Sequence, residues 1–262
     1  MKNNLSRINP CLTSLAALAA LGAACLGVTS TALAASVTRI FTVEVSAANR
    51  HAFREGVIAW HKCERANGMN SAVMVYDAET GDASRFAFLV ENASWAAMDQ
   101  KNPAAKACRE LFRDHVSPNI RRVSSEIVQQ NPKVSHLTDI EPGPFPLAWV
   151  SAYRIKPGQA RAFHAELRQF AAAAAKSHWE GQFEGDDVMG SGRGGADFIL
   201  VWPNKNWADA GTQAKPSARE MMKSVYGAAA AKSIYEHFSD TVADQWSDVW
   251  SYDKALSLPA KK

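Results

Sequence analysis

The chain has 262 residues, of which 47% are hydrophobic and 21% are charged, and its formal net charge at neutral pH is +3. This length suffices for one large domain or two small ones. A charge so nearly balanced argues against nucleic acid as a partner, because binding phosphates requires a concentrated basic surface.

The first 34 residues have the three parts of a cleavable secretory signal. Lys2 and Arg7 form a basic start, residues 12–28 are almost entirely apolar, and residues 32–34 are Ala-Leu-Ala, a small-residue cleavage pattern. We therefore expect residues 1–34 to be removed and the protein to be periplasmic or secreted. Processing would lower the net charge from +3 to +1, because it removes two basic residues and no acid.

Two alternatives to cleavage are a retained membrane anchor and a lipoprotein modified at Cys25. A spanning helix needs about 20 apolar residues, which is more than this stretch provides. Gly22 occupies the position where a lipobox prefers leucine. No later stretch of the sequence is long and apolar enough to cross a bilayer, so we expect no membrane span after processing.

The rest of the sequence contains one unit twice. Three gapless matches support this: residues 42–53 align with 152–163 at an offset of 110, 86–95 with 198–207 at 112, and 112–135 with 234–257 at 122. Three matches in the same order are improbable by chance, and the offset changes only where loops or helix starts can absorb insertions. We expect a first unit at residues 35–140, a linker at 141–146 and a second unit at 147–262.

Each unit has the same predicted order of elements. In the first unit, residues 37–45 alternate as a half-buried strand, and Phe53, Val57 and Trp60 recur at helical spacing until Asn67-Gly68 ends the helix. Short strands at 72–76 and 86–90 follow, then a second helix through Ala104, Cys108, Leu111 and His115, a helical turn at Ser117-Pro118, and a last strand near Ile127 and Val128.

The second unit repeats this order, with a strand at 149–155, a helix at 163–174, a strand pair around residues 190–195 and a helix from Ala218. The glycine-rich residues 190–195 form a hairpin loop rather than a phosphate cradle, because a strand and not a helix follows them. The order β-α-β-β-α-β is the ferredoxin-like unit, and two copies can bury their open sheet faces against each other. The predicted class is therefore α+β, with two tandem ferredoxin-like units.

An Asn-x-x-Trp sequence enters each predicted second helix, beginning at Asn92 and Asn204, and a serine-containing tail follows each last strand. With the element order, these features resemble the dimeric α+β barrel superfamily, which includes NIPSNAP, EthD-like and antibiotic-biosynthesis-monooxygenase-like domains. The resemblance covers nearly the whole chain after residue 34 and implies a pseudo-dimeric α+β barrel. The superfamily hosts enzymes, heme binders and proteins of unknown role, so the fold implies no single activity.

His115 and His237 occupy matching positions on the two second helices. The resemblance implies an axial role for such a residue, because heme-degrading members place a heme ligand on this helix. Those members pair it with a tryptophan about ten residues earlier, whereas Trp95 precedes His115 by 20 residues and Trp207 precedes His237 by 30. Heme is therefore a weak candidate cofactor, and the alternative role is a shared, hydrogen-bonded packing residue at the edge of the apolar stripe.

His61 lies on the apolar stripe of the first helix, while the matching residue of the second unit is Ala171. This asymmetry would place a single working cavity in the first unit, where Glu64, Tyr76 and Asp77 supply further polar groups. The alternative is a histidine that hydrogen-bonds at a helix end. His61, His115 and His237 are thus the candidate cavity residues, and no metal-ligand spacing accompanies them. Asp186 and Asp187 are expected at a solvated turn.

Cys63 and Cys108 are predicted to form a disulfide. The two helices of a ferredoxin-like unit run antiparallel on one sheet face, so the end of the first lies beside the start of the second. An oxidising compartment permits the bond, and the second unit has Ala173 and Ala230 at the matching positions. Two buried free thiols are the alternative.

The sequence as a whole predicts an exported two-repeat α+β barrel protein that acts as a binding or accessory module for a small apolar or aromatic molecule. The alternative is a cofactor-free monooxygenase-like or heme-utilising enzyme with its site in one repeat. A further self-association, through the edges of the sheets, is compatible with either function.

Overall fold

The computed structural model describes residues 36–138 and 143–260. The predicted signal segment lies outside these residues. The strands are β1 (Val37–Val45), β2 (Met74–Ala78), β3 (Arg85–Asn92), β4 (Ile120–Gln130), β5 (Leu147–Ile155), β6 (Glu184–Gly190), β7 (Phe198–Asn204) and β8 (Val242–Tyr252). The helices are α1 (Arg50–Ala66), α2 (Arg109–Leu111), α3 (Ala160–Ser177), α4 (Trp207–Ala210), α5 (Ala218–Tyr226) and α6 (Ala228–Thr241).

The strands close into a barrel in the order β1-β3-β2-β8-β5-β7-β6-β4, and every neighbouring pair is antiparallel. Within each half the order is that of a ferredoxin-like sheet. The β2–β8 and β4–β6 ladders join the two halves. The predicted α+β class and pseudo-dimeric barrel are confirmed.

The two halves share the same strand register. Thr42 of β1 is paired with Ala87 of β3 and Ser124 of β4. Ala152, 110 residues further on, is paired with Ile199 and Trp246, which lie 112 and 122 residues beyond those partners. The three sequence offsets therefore also relate the paired residues of the strand ladders in the two halves. Residues matched by sequence occupy equivalent places in the sheet.

The long helices α1, α3 and α6 cover the outer face of the barrel because each has one apolar side. Phe53 and Val57 of α1 are fully buried, and the Phe53 ring lies 5.1 Å from that of Phe86 on the sheet. Gly56 lets the chain that precedes β4 cross α1 closely, since a Cβ at this position would lie 2.3 Å from the carbonyl oxygen of His115. In the part of the chain that the structure describes, no helix has the length and apolarity needed to traverse a bilayer.

The second helix of the first half is much shorter than predicted. Residues 103–108 form turns, α2 contributes three residues, and Phe112–Val116 continue as a π-helical turn. The apolar spacing correctly predicted that Ala104 and Cys108 are buried, but Leu111 is only partly buried, and the helix is not continuous. In the second half, a capping box between Ser217 and Glu220 starts α5.

Candidate functional site

The first half contains a cavity of about 600 Å³ between the sheet and the helices. We call it the helix-side cavity. Strands β1, β3 and β4 form its floor, α1 forms one wall, and residues 93–108, the wall segment, form the other with α2. Its lining is mainly apolar and includes Phe41, Trp60, Phe88, Val90, Met98 and Phe112. Its size falls within the range of small-molecule sites in proteins.

The second half fills the equivalent space with an additional helix. Residues 95–112 span 17 positions, whereas the matching residues 207–234 span 27. The longer connection builds α5, whose Met221 and Met222 are fully buried in the core of this half. The shorter connection of the first half has no such helix to place against its sheet.

Side-chain size adds to this difference. Three cavity-lining residues of the first half, Val43, Val90 and Val116, correspond to Tyr153, Trp202 and Phe238 in the second half. The Trp202 ring lies 5.4 Å from that of Phe183, and the Phe238 ring lies 5.1 Å from that of Phe163. The same fold is thus packed with aromatic rings in one half and open in the other.

Glu64 brings a carboxyl group to the wall of the helix-side cavity. The residue is only 2% exposed, and its Oε1 accepts a hydrogen bond of 2.6 Å from Nδ2 of Asn102 on the wall segment. Its Oε2 has no hydrogen-bond partner among the described residues. Burial raises the pKa of Glu64 above its usual value, against the opposing effect of the Asn102 hydrogen bond. A buried carboxyl group with a free oxygen at a cavity wall can exchange a proton with a bound molecule.

Cys63 and Cys108 lie at disulfide distance, as the sequence predicted. Their Sγ atoms are 2.08 Å apart and their Cα atoms 5.9 Å apart. The bond ties the end of the wall segment to α1, next to Glu64, and Nδ2 of Asn67 lies near both sulfur atoms. The wall of the cavity is therefore held at its C-terminal end by a covalent bond and in its middle by Asn102.

His61 is buried on α1, but it is not among the residues that line the helix-side cavity. Its Nδ1 donates a 2.7 Å hydrogen bond to the carbonyl oxygen of Leu256, which leaves Nε2 as an acceptor without a partner among the described residues. Burial, partly offset by this bond, lowers the pKa of His61 to about 4. The imidazole is neutral at physiological pH and anchors the C-terminal segment to α1.

The structure does not bring the three candidate histidines together. His115 is exposed, because the π-helical turn that contains it rotates it away from the stripe and buries Val116 instead. The His237 side chain is 65% exposed on α6, one position off the buried stripe, with Nδ1 3.8 Å from Oε1 of Glu166. The sequence expectation of inward-facing histidines is therefore corrected: neither residue lines a described cavity.

A second cavity, of about 730 Å³, occupies the inside of the barrel. We call it the barrel cavity. Asp186, expected at a solvated turn, instead lies in β6, is 7% exposed and lines this cavity. Burial and the neighbouring carboxylates, Glu184 first among them, hold the pKa of Asp186 well above its usual range. Among residues 36–138 and 143–260, no group of three or more His, Cys, Asp or Glu side chains is arranged to hold a metal ion.

Two ferredoxin-like halves that close one barrel within a single chain, with an open cavity in one half, define a pseudo-dimeric α+β barrel protein. No protein-family model matches the sequence, and no curated protein matches it either. Similar solved structures share this fold at low sequence identity.

One of them is an anthrone oxidase-like protein, with a TM-score of 0.52 and 13% identity over 84% of this chain and 91% of the other. Another is a "putative monooxygenase" from Lactobacillus acidophilus NCFM, with a TM-score of 0.51 and 10% identity over 87% and 98% of the two chains. A mutant chlorite dismutase from Candidatus Nitrospira defluvii has a TM-score of 0.50 and 11% identity over 84% and 92%. The likeness establishes the dimeric α+β barrel fold and nothing finer.

The residues of the helix-side cavity do not fit heme, the candidate cofactor that the family resemblance implied. Proteins hold heme iron through histidine, cysteine thiolate, tyrosine or a methionine that accompanies a histidine. The described lining contains Met69 and Met98 but no histidine or tyrosine, and the sulfur of Cys108 is in the disulfide. We derive no chemical step through heme.

Proposed function

We propose that this chain is an exported binding protein whose ligand, a small apolar or aromatic molecule, occupies the helix-side cavity. The observation that carries the proposal is the contrast between the halves. An open apolar cavity of about 600 Å³ lies in the first, and an aromatic core occupies the same place in the second. An empty apolar cavity lowers the stability of a protein, because the side chains of its walls lack van der Waals contacts. A ligand that fills the cavity supplies these contacts.

The lining indicates the chemistry of the ligand. Rings at Phe41, Trp60 and Phe88 offer faces and edges on which an aromatic ligand can pack. Burying the apolar surface of such a ligand contributes roughly 25 cal/mol per Å². The polar groups Arg39, Gln100 and Arg109 also line the cavity, where they can orient a ligand without disrupting the apolar floor.

Filling the cavity as the second half does tests the proposal. Val90→Trp places in the first half the side chain that Trp202 has in the second. The apolar fluorophore N-phenyl-1-naphthylamine should bind the wild type with one site per chain, and its affinity should fall about tenfold or more in the variant. Ile58→Trp, which adds the same ring on the exposed side of α1, is the matched control and should bind normally. Unchanged binding to the Val90→Trp variant would contradict the proposal.

Export is supported by the pattern of residues 1–34 and by the geometry of Cys63 and Cys108, since disulfides persist in oxidising compartments. N-terminal sequencing of protein recovered from the periplasm or the medium should give Ala35 as the first residue. An intact Met1, or a lipid on Cys25, would be incompatible with it.

A cofactor-free oxygenase is a second candidate, because Glu64 places a carboxyl group of raised pKa in an apolar cavity. Such a group can remove a proton from a bound carbon acid, which would then react with dioxygen. Anthrone is a suitable test substrate: one dioxygen converts its methylene carbon to a carbonyl and forms one water. We expect Glu64→Gln to lower any such oxygen uptake at least about a hundredfold. No uptake by the wild type would leave only the binding function.

A heme-utilising enzyme is not favoured by the positions of the histidines. Titration with hemin provides the check: a Soret shift that disappears in His115→Ala or His237→Ala would establish a heme site. We expect no such histidine-dependent shift, because both side chains are exposed on the outer faces of their helices.

A further inference from the structure

The barrel cavity is separate from the helix-side cavity, and its lining contains many more charged side chains. Inward-facing side chains of all eight strands line it, since alternate residues of a closed sheet point to the inside. Its apolar residues include Ile40, Leu89, Val150 and Ile199, and its charged ones are six carboxylates and two guanidinium groups. The helix-side cavity has no comparable concentration of charge.

The two arginines are already paired. Arg85 donates from Nη2 to Oδ2 of Asp248 at 2.9 Å, and Nη1 of Arg122 lies 3.6 Å from Oε1 of Glu44. The remaining carboxyl groups, listed here together, are those of Glu91, Glu126, Glu184 and Asp186. These four carboxyl groups have no paired cation among the described residues, and those of Glu184 and Asp186 hydrogen-bond to each other, so the pair shares a proton that a bound cation can replace.

Asp186 shows that this excess charge faces the cavity. The residue is 7% exposed, no described N–H group donates to its side chain, and its side-chain hydrogen bond is the one it shares with Glu184. The carboxyl groups closest to it are those of Glu184, Asp187 and Glu126. Glu184 lies two residues earlier in β6, on the same face of the strand. A buried carboxylate without a donor or counter-ion is expensive, and it is normally satisfied by a proton, a metal or a bound cation.

The acidic pair is a feature of the second half alone. The ladder registers place Glu184 and Asp186 opposite Val201 and Ile199, and the equivalent strand of the first half has Met74 and Tyr76 opposite Leu89 and Ala87. The fold therefore does not require carboxyl groups at these two positions. Their presence in one half only indicates a role that is not structural.

We propose that the barrel cavity binds a small organic cation, an aliphatic amine or diamine, with its ammonium group against Asp186 and Glu184 and its carbon chain along the apolar strands. A metal ion is the less suitable occupant, because no described group of carboxylates is arranged to hold one. Trp246 and Trp250 line the cavity as well, but Arg154 and Arg85 already lie over their rings, so the carboxyl groups are the partners of the ammonium group. The Arg122 side chain is 73% exposed and Trp246 is 37% exposed, so the cavity reaches solvent at their end.

The test uses 1,5-diaminopentane, with 1,5-pentanediol as its uncharged counterpart of similar length and MgCl₂ as the metal, at one ionic strength and pH 7.5. Isothermal titration of the full processed chain should show one diaminopentane site. The diol and Mg²⁺ should bind at least about tenfold more weakly. Asp186→Asn and Glu184→Gln should each weaken diaminopentane binding about tenfold or more, since each removes one partner of a buried ionic contact.

Glu110→Gln is the matched control, because it removes one exposed carboxylate outside the barrel and should leave the affinity unchanged. The proposal is overturned if diaminopentane does not bind the wild type, if Mg²⁺ or the diol binds as well, or if both barrel variants retain full affinity. These outcomes do not depend on the helix-side cavity. As a check, the Val90→Trp variant should bind diaminopentane like the wild type.

Discussion

His61 is a buried residue whose environment accepts only its neutral form. The ring lies 4.9 Å from that of Trp60 and 6.3 Å from that of Phe88, and its one hydrogen bond goes to the carbonyl oxygen of Leu256. Protonation would add an N–H group at Nε2, for which the described residues provide no hydrogen-bond acceptor. Removal of the ring from water is the main cause of the lowered pKa of about 4; the Leu256 hydrogen bond opposes it, and the charge of Arg65 adds to it.

We expect His61 to make the protein less stable in mild acid. Its pKa is lower in the folded state than the unfolded value of 6.5, so the unfolded chain binds the extra proton between pH 6.5 and pH 4. Stability is then complete above pH 6.5 and decreases as the pH falls towards 4, by about 2 kcal/mol between pH 7.5 and pH 5. Urea unfolding of the wild type and of His61→Gln at the two pH values measures this. If both proteins lose the same free energy, His61 is not the titrating group.

For single residues, the sequence predicted the place of a residue in the fold better than its burial or its hydrogen-bond partners. The antiparallel helices of the ferredoxin-like unit correctly predicted that Cys63 and Cys108 meet. The orientation of His115 depends on a π-helical turn, which adds a residue to one turn and leaves no pattern in the apolar spacing. Asn102, which bonds Glu64, was not identified, because its role depends on a long-range contact across 38 residues.

The wall segment has little regular structure of its own, so its position depends on a few contacts. Residues 93–108 contain one short 3₁₀ helix, Ala96–Asp99, and turns. The Cys63–Cys108 bond joins this segment to α1 across 45 residues of chain. In the second half the corresponding connection carries α5 and has no disulfide, which suggests that covalent and packing restraints substitute for each other.

Loss of the disulfide should destabilise the protein and loosen the wall segment. Replacing Cys63 and Cys108 together by serine should lower the free energy of unfolding by about 2–4 kcal/mol, because the unfolded chain regains the freedom of the closed loop. Urea denaturation measures the loss, and N-phenyl-1-naphthylamine binding should weaken in parallel. Dithiothreitol should reproduce the effect in the wild type and have none in the double variant. An unaffected wild type would mean that the thiols are free.

Secondary structure was predictable wherever one pattern dominated. The alternation of residues 37–45 gave the bounds of β1, and Ala218 was correctly expected to begin a helix. β4 proved longer than the short strand expected near Ile127, because its first half lies at the exposed end of the barrel and is polar. Trp95 and Trp207, the tryptophans of the two Asn-x-x-Trp sequences, are 46% and 54% exposed.

At the scale of the whole molecule, the closed barrel leaves each of its eight strands with two neighbours. Self-association by pairing of sheet edges, which the sequence left open, would therefore require the barrel to open. Any further contact between copies must use the helical surfaces or the loops. Closure also creates the interior in which four carboxyl groups lie without a cationic partner among the described residues, a property of the assembled barrel that no single repeat displays.

The acidic interior should limit the stability of the unliganded protein. The pKa of Asp186 is higher in the folded state than in the unfolded chain, so folding is favoured at low pH and this contribution is lost as the pH rises. Asp186→Asn removes the repulsion and should raise the thermal midpoint at pH 7.5, by about 2–4 °C for each kcal/mol relieved. The gain should shrink at pH 4.5. Calorimetry at both pH values provides the measurement, and a lower midpoint for the variant at pH 7.5 would contradict it.

Because both halves belong to one polypeptide, closure of the barrel does not depend on the protein concentration. The β2–β8 and β4–β6 ladders form between segments of the same molecule, whereas a barrel made from two separate chains dissociates on dilution. The unfolding midpoint should therefore be the same at 0.5 and at 50 μM protein, which differential scanning fluorimetry can check; a rise with concentration would reveal an additional obligatory association.

Because the two halves belong to one chain, their sequences need not be identical for the barrel to close. One half can therefore accumulate substitutions that open a cavity. The other half, which is present once in every barrel, keeps the close packing that stabilises the fold.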